Sequence, residues 1–132
     1  MHYTYVVEPY KGFNDVSFGE LRNTVRKKLG VYTDFKKNKF SKNTADDFGN
    51  LHTFYDEKNT LEAVEFFKGE LYLEGRKLFP TKKDELFTVL SNTDHEAIVS
   101  NDSVESKMLG IHAYAPSDTV ESLLIYRVGY YD

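Results

Sequence analysis

Gly49-Asn50-Leu51-His52-Thr53-Phe54-Tyr55 and Leu109-Gly110-Ile111-His112-Ala113-Tyr114-Ala115 stand sixty positions apart and align residue for residue around a shared histidine. The likeness continues after a polar connection, Asp56 to Thr60 in the first copy and Pro116 to Thr119 in the second. Beyond it, Leu61-Glu62-Ala63-Val64-Glu65-Phe66-Phe67-Lys68 matches Val120-Glu121-Ser122-Leu123-Leu124-Ile125-Tyr126-Arg127. Aromatic and β-branched runs on either side of a polar turn read as a β-hairpin, so the chain is expected to carry two of them.

A helix is expected ahead of each hairpin. Ser17-Phe18-Gly19-Glu20 has capping-box spacing, Leu21, Val25 and Leu29 recur at helical intervals, and Gly30 stands where a left-handed cap belongs. In the second copy Thr81 is placed to cap a helix that enters through Asp84, turns Leu86, Phe87 and Leu90 to one side, and closes at Ser91-Asn92. A leading strand over Tyr3 to Val7 and an alternating stretch with a Gly break, Glu70 to Phe79, complete the pattern. The expected fold is α+β: one domain over 1–132, with repeat 1 at about 14–68 and repeat 2 at about 81–132. The two helix-plus-β-hairpin units would form one antiparallel sheet with the helices packed on one face.

Period-two alternation then divides the hairpin side chains between the faces. Leu51, Thr53, Tyr55, Val64, Phe66, Ile111, Ala113, Ala115, Leu123 and Ile125 point to the helices. His52, Phe54, Ala63, Glu65, Phe67, His112, Tyr114, Ser122, Leu124 and Tyr126 point away, forming an aromatic, histidine-bearing platform of the composition that protein interfaces favour. Aromatic residues also stabilise cross-strand pairs or add a second layer of core, so the same residues admit a purely structural reading.

Composition limits the alternatives. The chain has 132 residues, 40% of them hydrophobic and 15% aromatic, enough for one core. It has no cysteine, which excludes disulfides and thiolate chemistry, and no apolar leader follows Met1, so a cytoplasmic location is expected. No run approaches the roughly 20 apolar residues that span a bilayer. The net charge of −4 is uneven: residues 22 to 43 hold eight cations (Arg22, Arg26, Lys27, Lys28, Lys36, Lys37, Lys39, Lys42) against Asp34, leaving −11 for the remainder. An acidic body suits a basic protein partner, although acidity alone also serves solubility. The stretch Phe35-Lys36-Lys37-Asn38-Lys39-Phe40-Ser41-Lys42 interleaves bases and rings as single-strand binders do, and equally protects a strand edge.

Catalytic and cofactor signatures are missing. His52, His112 and Glu65 are the best enzyme candidates, but repetition accounts for the two histidines, His2 and His95 lie elsewhere, and no metal-ligand spacing links any of them. No nucleophile elbow or phosphate-cradling glycine run is present, and Asp46-Asp47 and Glu62/Glu65 read as solvated or interface charges. No cofactor or metal is expected, and a binding module is favoured over an enzyme.

The opening Glu8-Pro9-Tyr10-Lys11-Gly12-Phe13-Asn14-Asp15-Val16-Ser17-Phe18-Gly19, with Val25-Arg26-Lys27-Lys28-Leu29-Gly30, His52-Thr53-Phe54-Tyr55-Asp56 and Leu61 to Phe67, resembles small bacterial immunity proteins encoded beside secreted or contact-delivered toxins. Their fold is similar to that of the tandem-repeat β-lactamase inhibitor proteins, which grip an enzyme with the free face of a sheet. The resemblance implies an antitoxin role in bacterial competition: neutralising a cognate toxin, such as a basic nuclease, by protein–protein contact. The partner-binding set would be His52, Phe54, Glu65, Phe67, His112, Tyr114, Leu124 and Tyr126, with Asp46 and Asp47 as the electrostatic match. The cysteines of the secreted inhibitors are absent, which fits a cytoplasmic protein and argues against a β-lactamase target. The alternative is a nucleic-acid-binding accessory protein using residues 35–42.

Overall fold

The first strand is Thr4-Tyr5-Val6-Val7-Glu8, buried at every second residue, and the computed structural model, which describes residues 3–41 and 43–131, makes it the centre of a sheet. That strand, β1 (Thr4–Glu8), is followed by the short pair β2 (Gly12–Phe13) and β3 (Val16–Ser17), helix α1 (Arg22–Leu29), and four strands: β4 (Thr33–Lys36), β5 (Thr44–Asp47), β6 (Leu51–Tyr55) and β7 (Leu61–Phe66). Then come β8 (Glu70–Leu73), β9 (Arg76–Phe79), helix α2 (Lys83–Thr93), and four more strands: β10 (Ile98–Val99), β11 (Ser103–Ser106), β12 (Ile111–Tyr114) and β13 (Ser122–Tyr126).

These strands make two sheets. The smaller runs β3-β2-β1-β8-β9, with β1 and β8 parallel through Tyr5↔Leu71. The larger runs β10-β11-β12-β13-β7-β6-β5-β4, two antiparallel meanders of four strands that meet where β13 pairs with β7. Each meander follows a helix, and the residue before each helix bridges to the hairpin of its own meander, Leu21 to Thr60 and Lys82 to Thr119.

The expectation of two helix-plus-hairpin repeats on one sheet is therefore corrected. Among the described residues the protein is mostly β, 43% strand and 15% helical, with two sheets. The expected hairpins are β6–β7 and β12–β13, but each has two further strands outside it. Those strands carry Thr-Asp-Phe-Lys, Thr-Ala-Asp-Asp, Ile-Val and Ser-Val-Glu-Ser, too polar or too short to show an apolar alternation. The inner face of the large sheet is covered by the small sheet as well as by the helices. One buried cluster unites Tyr5, Val7, Phe13, Leu71 and Leu78 of the small sheet with Val25 of α1, Leu86 and Leu90 of α2, and Leu51, Val64, Phe66, Ile111 and Leu123 of the large one.

The helix ends also differ from expectation. Ser17 belongs to β3, and the cap position of α1 is Leu21, four residues after the expected cap, with no side-chain cap. Half of the expected capping box persists as a turn, since the Ser17 backbone N–H donates to the Glu20 carboxylate. Gly30 closes α1 at φ 97°, donating to the Arg26 carbonyl. Helix α2 follows Lys82, and Thr81 donates its hydroxyl to Glu85 at 2.9 Å instead of capping the backbone. Among the described residues no helix is long and apolar enough to cross a membrane.

Candidate functional site

Antiparallel register lines up outward-facing side chains across strands, and in the large sheet it produces one row of six. Asp47 pairs with His52, His52 with Glu65, Glu65 with Leu124, Leu124 with His112, and His112 with Glu105, so the row crosses β5, β6, β7, β13, β12 and β11. Each histidine has a carboxylate beside it: His52 Nε2 lies 3.4 Å from Asp47 Oδ1, and His112 Nδ1 lies 3.2 Å from Glu105 Oε2. Glu65, at the centre, accepts a hydrogen bond from the Ser122 hydroxyl at 2.7 Å. The His52 ring is held between Phe35 and Phe67, with centroids at 4.8 and 4.6 Å.

On one flank of this row stand Phe67 and Tyr114, 36% and 47% exposed. On the other flank stand Phe54 and Tyr126, only 7% and 4% exposed. All eight sheet residues assigned to partner binding lie on this face, and Asp47 joins them, but the face is open on one flank alone. Phe54 and Tyr126 form a second, smaller core with Ala45 and Ala63, against which Tyr10 and Tyr130 pack. The Tyr126 ring meets Tyr10 edge-on at 5.9 Å and Tyr131 at 4.8 Å, and lies parallel to Tyr130 at 5.8 Å. Burial pushes the Tyr126 phenol well above its ordinary value and those of Tyr130 and Tyr131 up to about 12. Phe54 and Tyr126 are thus packing residues, not accessible anchors, which corrects their assignment to a contact surface.

Asp46 is corrected too. Its neighbour Asp47 faces out, so alternation turns Asp46 inward, where it is 0% exposed. Its two oxygens accept bonds from Arg22 Nη2 (2.8 Å), Arg26 Nε and Nη2 (2.8 and 2.9 Å) and the Tyr55 hydroxyl (3.0 Å). Arg22 also donates to Thr44 at 2.9 Å and stacks over the Tyr55 ring, and Arg26 lies over Tyr32. This carboxylate ties α1 to β5 and is not available to a partner.

The basic stretch at 35–42 covers the end of β4, Phe35 and Lys36, and the connection that leads on to β5, and Lys42, like His2, falls outside the described residues. Phe35 belongs to the platform through His52, and Lys37 reaches back over the sheet, whereas Lys36, Lys39 and Phe40 are exposed. The enzyme candidates His52, Glu65 and His112 share the row, but Leu124 separates Glu65 from His112. Among the described residues no group of three or more His, Asp or Glu side chains is arranged to hold a metal ion.

Three residues around Phe54 were not joined to it by the sequence reading: Lys37, assigned to the basic stretch, Glu62, read as a solvated or interface charge, and Tyr130, not singled out; they share a cleft of about 610 Å³. Glu62 was left apart for a definable reason. A bulge between Phe54 and Tyr55 shifts the register, leaving Glu62 without a place in the alternation that assigned Ala63 and Glu65 outward. Set against protein-family models, curated proteins and solved structures, the chain matches none of them.

Proposed function

We propose that this protein is an immunity protein that neutralises a cognate toxin by direct binding through the open flank of the large sheet. The observation that supports the reading is the six-residue row itself. Three carboxylates and two histidines run across six strands beside exposed Phe67 and Tyr114, a combination of aromatic anchors and negative charge suited to a basic protein surface. The strands hold these groups rigidly, so little side-chain freedom is lost on docking. Blocking by occlusion requires no chemistry from the chain, in keeping with the role implied by the resemblance to immunity proteins.

The test is co-expression with the product of the neighbouring gene, followed by affinity purification and titration. A stoichiometric complex is expected. Phe67→Ala and Tyr114→Ala should each weaken it by about 2 kcal/mol, roughly 30-fold in Kd, with an unchanged melting temperature. Full affinity in both variants would move the interface off this face. Recovery of RNA instead, lost when Lys36 and Lys39 are reversed in charge, would favour the nucleic-acid reading.

A further inference from the structure

At the opposite end of β7 from Phe67, the cleft beside Phe54 and Tyr130 is already occupied in part by an ammonium group of the chain itself. Lys37 Nζ sits 4.7 Å from the centre of the Phe54 ring and 6.0 Å from that of Tyr130, and donates a hydrogen bond to the Tyr130 hydroxyl at 3.3 Å. One aromatic face, that of Phe54, and the phenol oxygen of Tyr130 around one ammonium make a cation-recognising arrangement. The charge around it remains unbalanced. Asp56, Glu57 and Glu62 line the cleft with Lys37, and Arg127 adds one more cation by bonding Asp56 at 2.8 Å. Arg127 approaches Glu62 only to 3.9 Å, and burial holds the Glu62 carboxyl above its ordinary value. Among the described residues, three carboxylates against two cations leave one negative charge in excess.

Lys37 is also held loosely. It follows the edge strand β4, which has a single hydrogen-bonded neighbour, and the residue as a whole is exposed. Exchanging its ammonium for another leaves the ring and phenol contacts intact and lets Lys37 return to water on its flexible stem.

We propose that this cleft is a recognition site for a lysine side chain of a protein partner, which enters by displacing Lys37. The chain's own lysine shows the chemistry the site accepts, an ammonium on an unbranched stem, and the excess negative charge gives the incoming cation its attraction. The site is separate from the Phe67–Tyr114 flank and does not depend on the partner being a toxin.

The experiment is an NMR titration of the full chain with Nα-acetyl-lysine methylamide, read at the Phe54 and Tyr130 ring resonances, beside its neutral isostere Nα-acetyl-norleucine methylamide. The lysine derivative should shift both rings saturably and the norleucine derivative should not. Lys37→Met should tighten binding of the lysine derivative roughly fivefold, the worth of one exposed cation–π contact. Tyr130→Leu and Glu62→Gln should each weaken it by a similar factor, the second without removing a packing ring. Equal response to both derivatives, or a Lys37→Met affinity no better than that of the unaltered chain, would overturn the proposal. So would wild-type affinity in Glu62→Gln.

Discussion

Asp46 exposes no surface, and the arginine and tyrosine donors around it replace the water it has lost. Burial alone would push its carboxyl up, but the bonds from Arg26, Arg22 and Tyr55 outweigh burial and hold it below the ordinary carboxylate value. Removing this one charge leaves two guanidinium groups facing a neutral neighbour. Asp46→Asn should therefore cost about 3–5 kcal/mol, read by urea unfolding at pH 7. The sign of the pH dependence follows from the lowered value. The carboxylate's contribution is complete above about pH 4, its unfolded range, and disappears as pH falls through the folded value. Asp56 acts in the same sense: against the effect of burial, bonds from Thr60, Arg127 and Lys58 bring it down to about 2. Unfolding free energy should thus fall between about pH 4 and pH 2, and fall less steeply in Asp46→Asn. Part of this was readable from the sequence. Arg22 and Arg26 are four residues apart on one helix face, but that one of Asp46 and Asp47 points inward follows only once β5 is seen to pair in the sheet. The habit of placing charges outside hid the consequence.

Among the elements, the β2–β3 turn depends most sharply on a single residue. Gly12 adopts φ 146°, and a Cβ there would run into the Val16 carbonyl oxygen. Gly75, in the β8–β9 turn, also has positive φ, but a Cβ would meet nothing within 4 Å. Gly75→Ala should cost only about 1 kcal/mol of backbone strain, whereas Gly12→Ala should cost more than about 3 kcal/mol or prevent soluble folding, as thermal melts of the two variants will show. Elements were legible wherever apolar residues kept a period. The strands over 51–55, 61–66, 111–114 and 122–126 fall within the stretches read as hairpins. The strands Thr33–Lys36, Thr44–Asp47 and Ser103–Ser106 were not legible, because their pairing comes from neighbours in the sheet and not from their own side chains. The start of α1 was misplaced because Ser17 and Glu20 satisfy the capping-box spacing while forming a turn at the end of β3.

At the scale of the whole molecule, the two sheets share one core and are clamped together by three rings. Tyr5 and Phe13 of the small sheet and Phe66 of the large one lie 5.0 to 5.6 Å apart in mutual contact. With β1 held to β8 across 66 positions of sequence, neither meander owns a core of its own. Thermal unfolding should accordingly be a single transition, with far-UV circular dichroism and tyrosine fluorescence tracing the same curve; two separated midpoints would mean that the meanders unfold independently. The small sheet could not be read from the repeat, since its centre is a parallel pairing between distant strands and long-range pairing leaves no local mark. The Phe67–Tyr114 flank was legible from alternation, and its limits were not: that Tyr10 and Tyr130 pack on the Phe54–Tyr126 cluster is a fact of tertiary packing alone.

The seam between β7 and β13 has a further consequence for the chain as it is being made. Strand β7 is synthesised with an edge reserved for β13, which follows only after roughly 60 more residues, and at about 5–20 residues per second that edge stays bare for about 3–12 s. During that interval the growing chain presents Leu61-Glu62-Ala63-Val64-Glu65-Phe66 without its cover. The join that completes the large sheet thus also leaves a strand open for seconds to chaperones, and to other copies emerging from the same message.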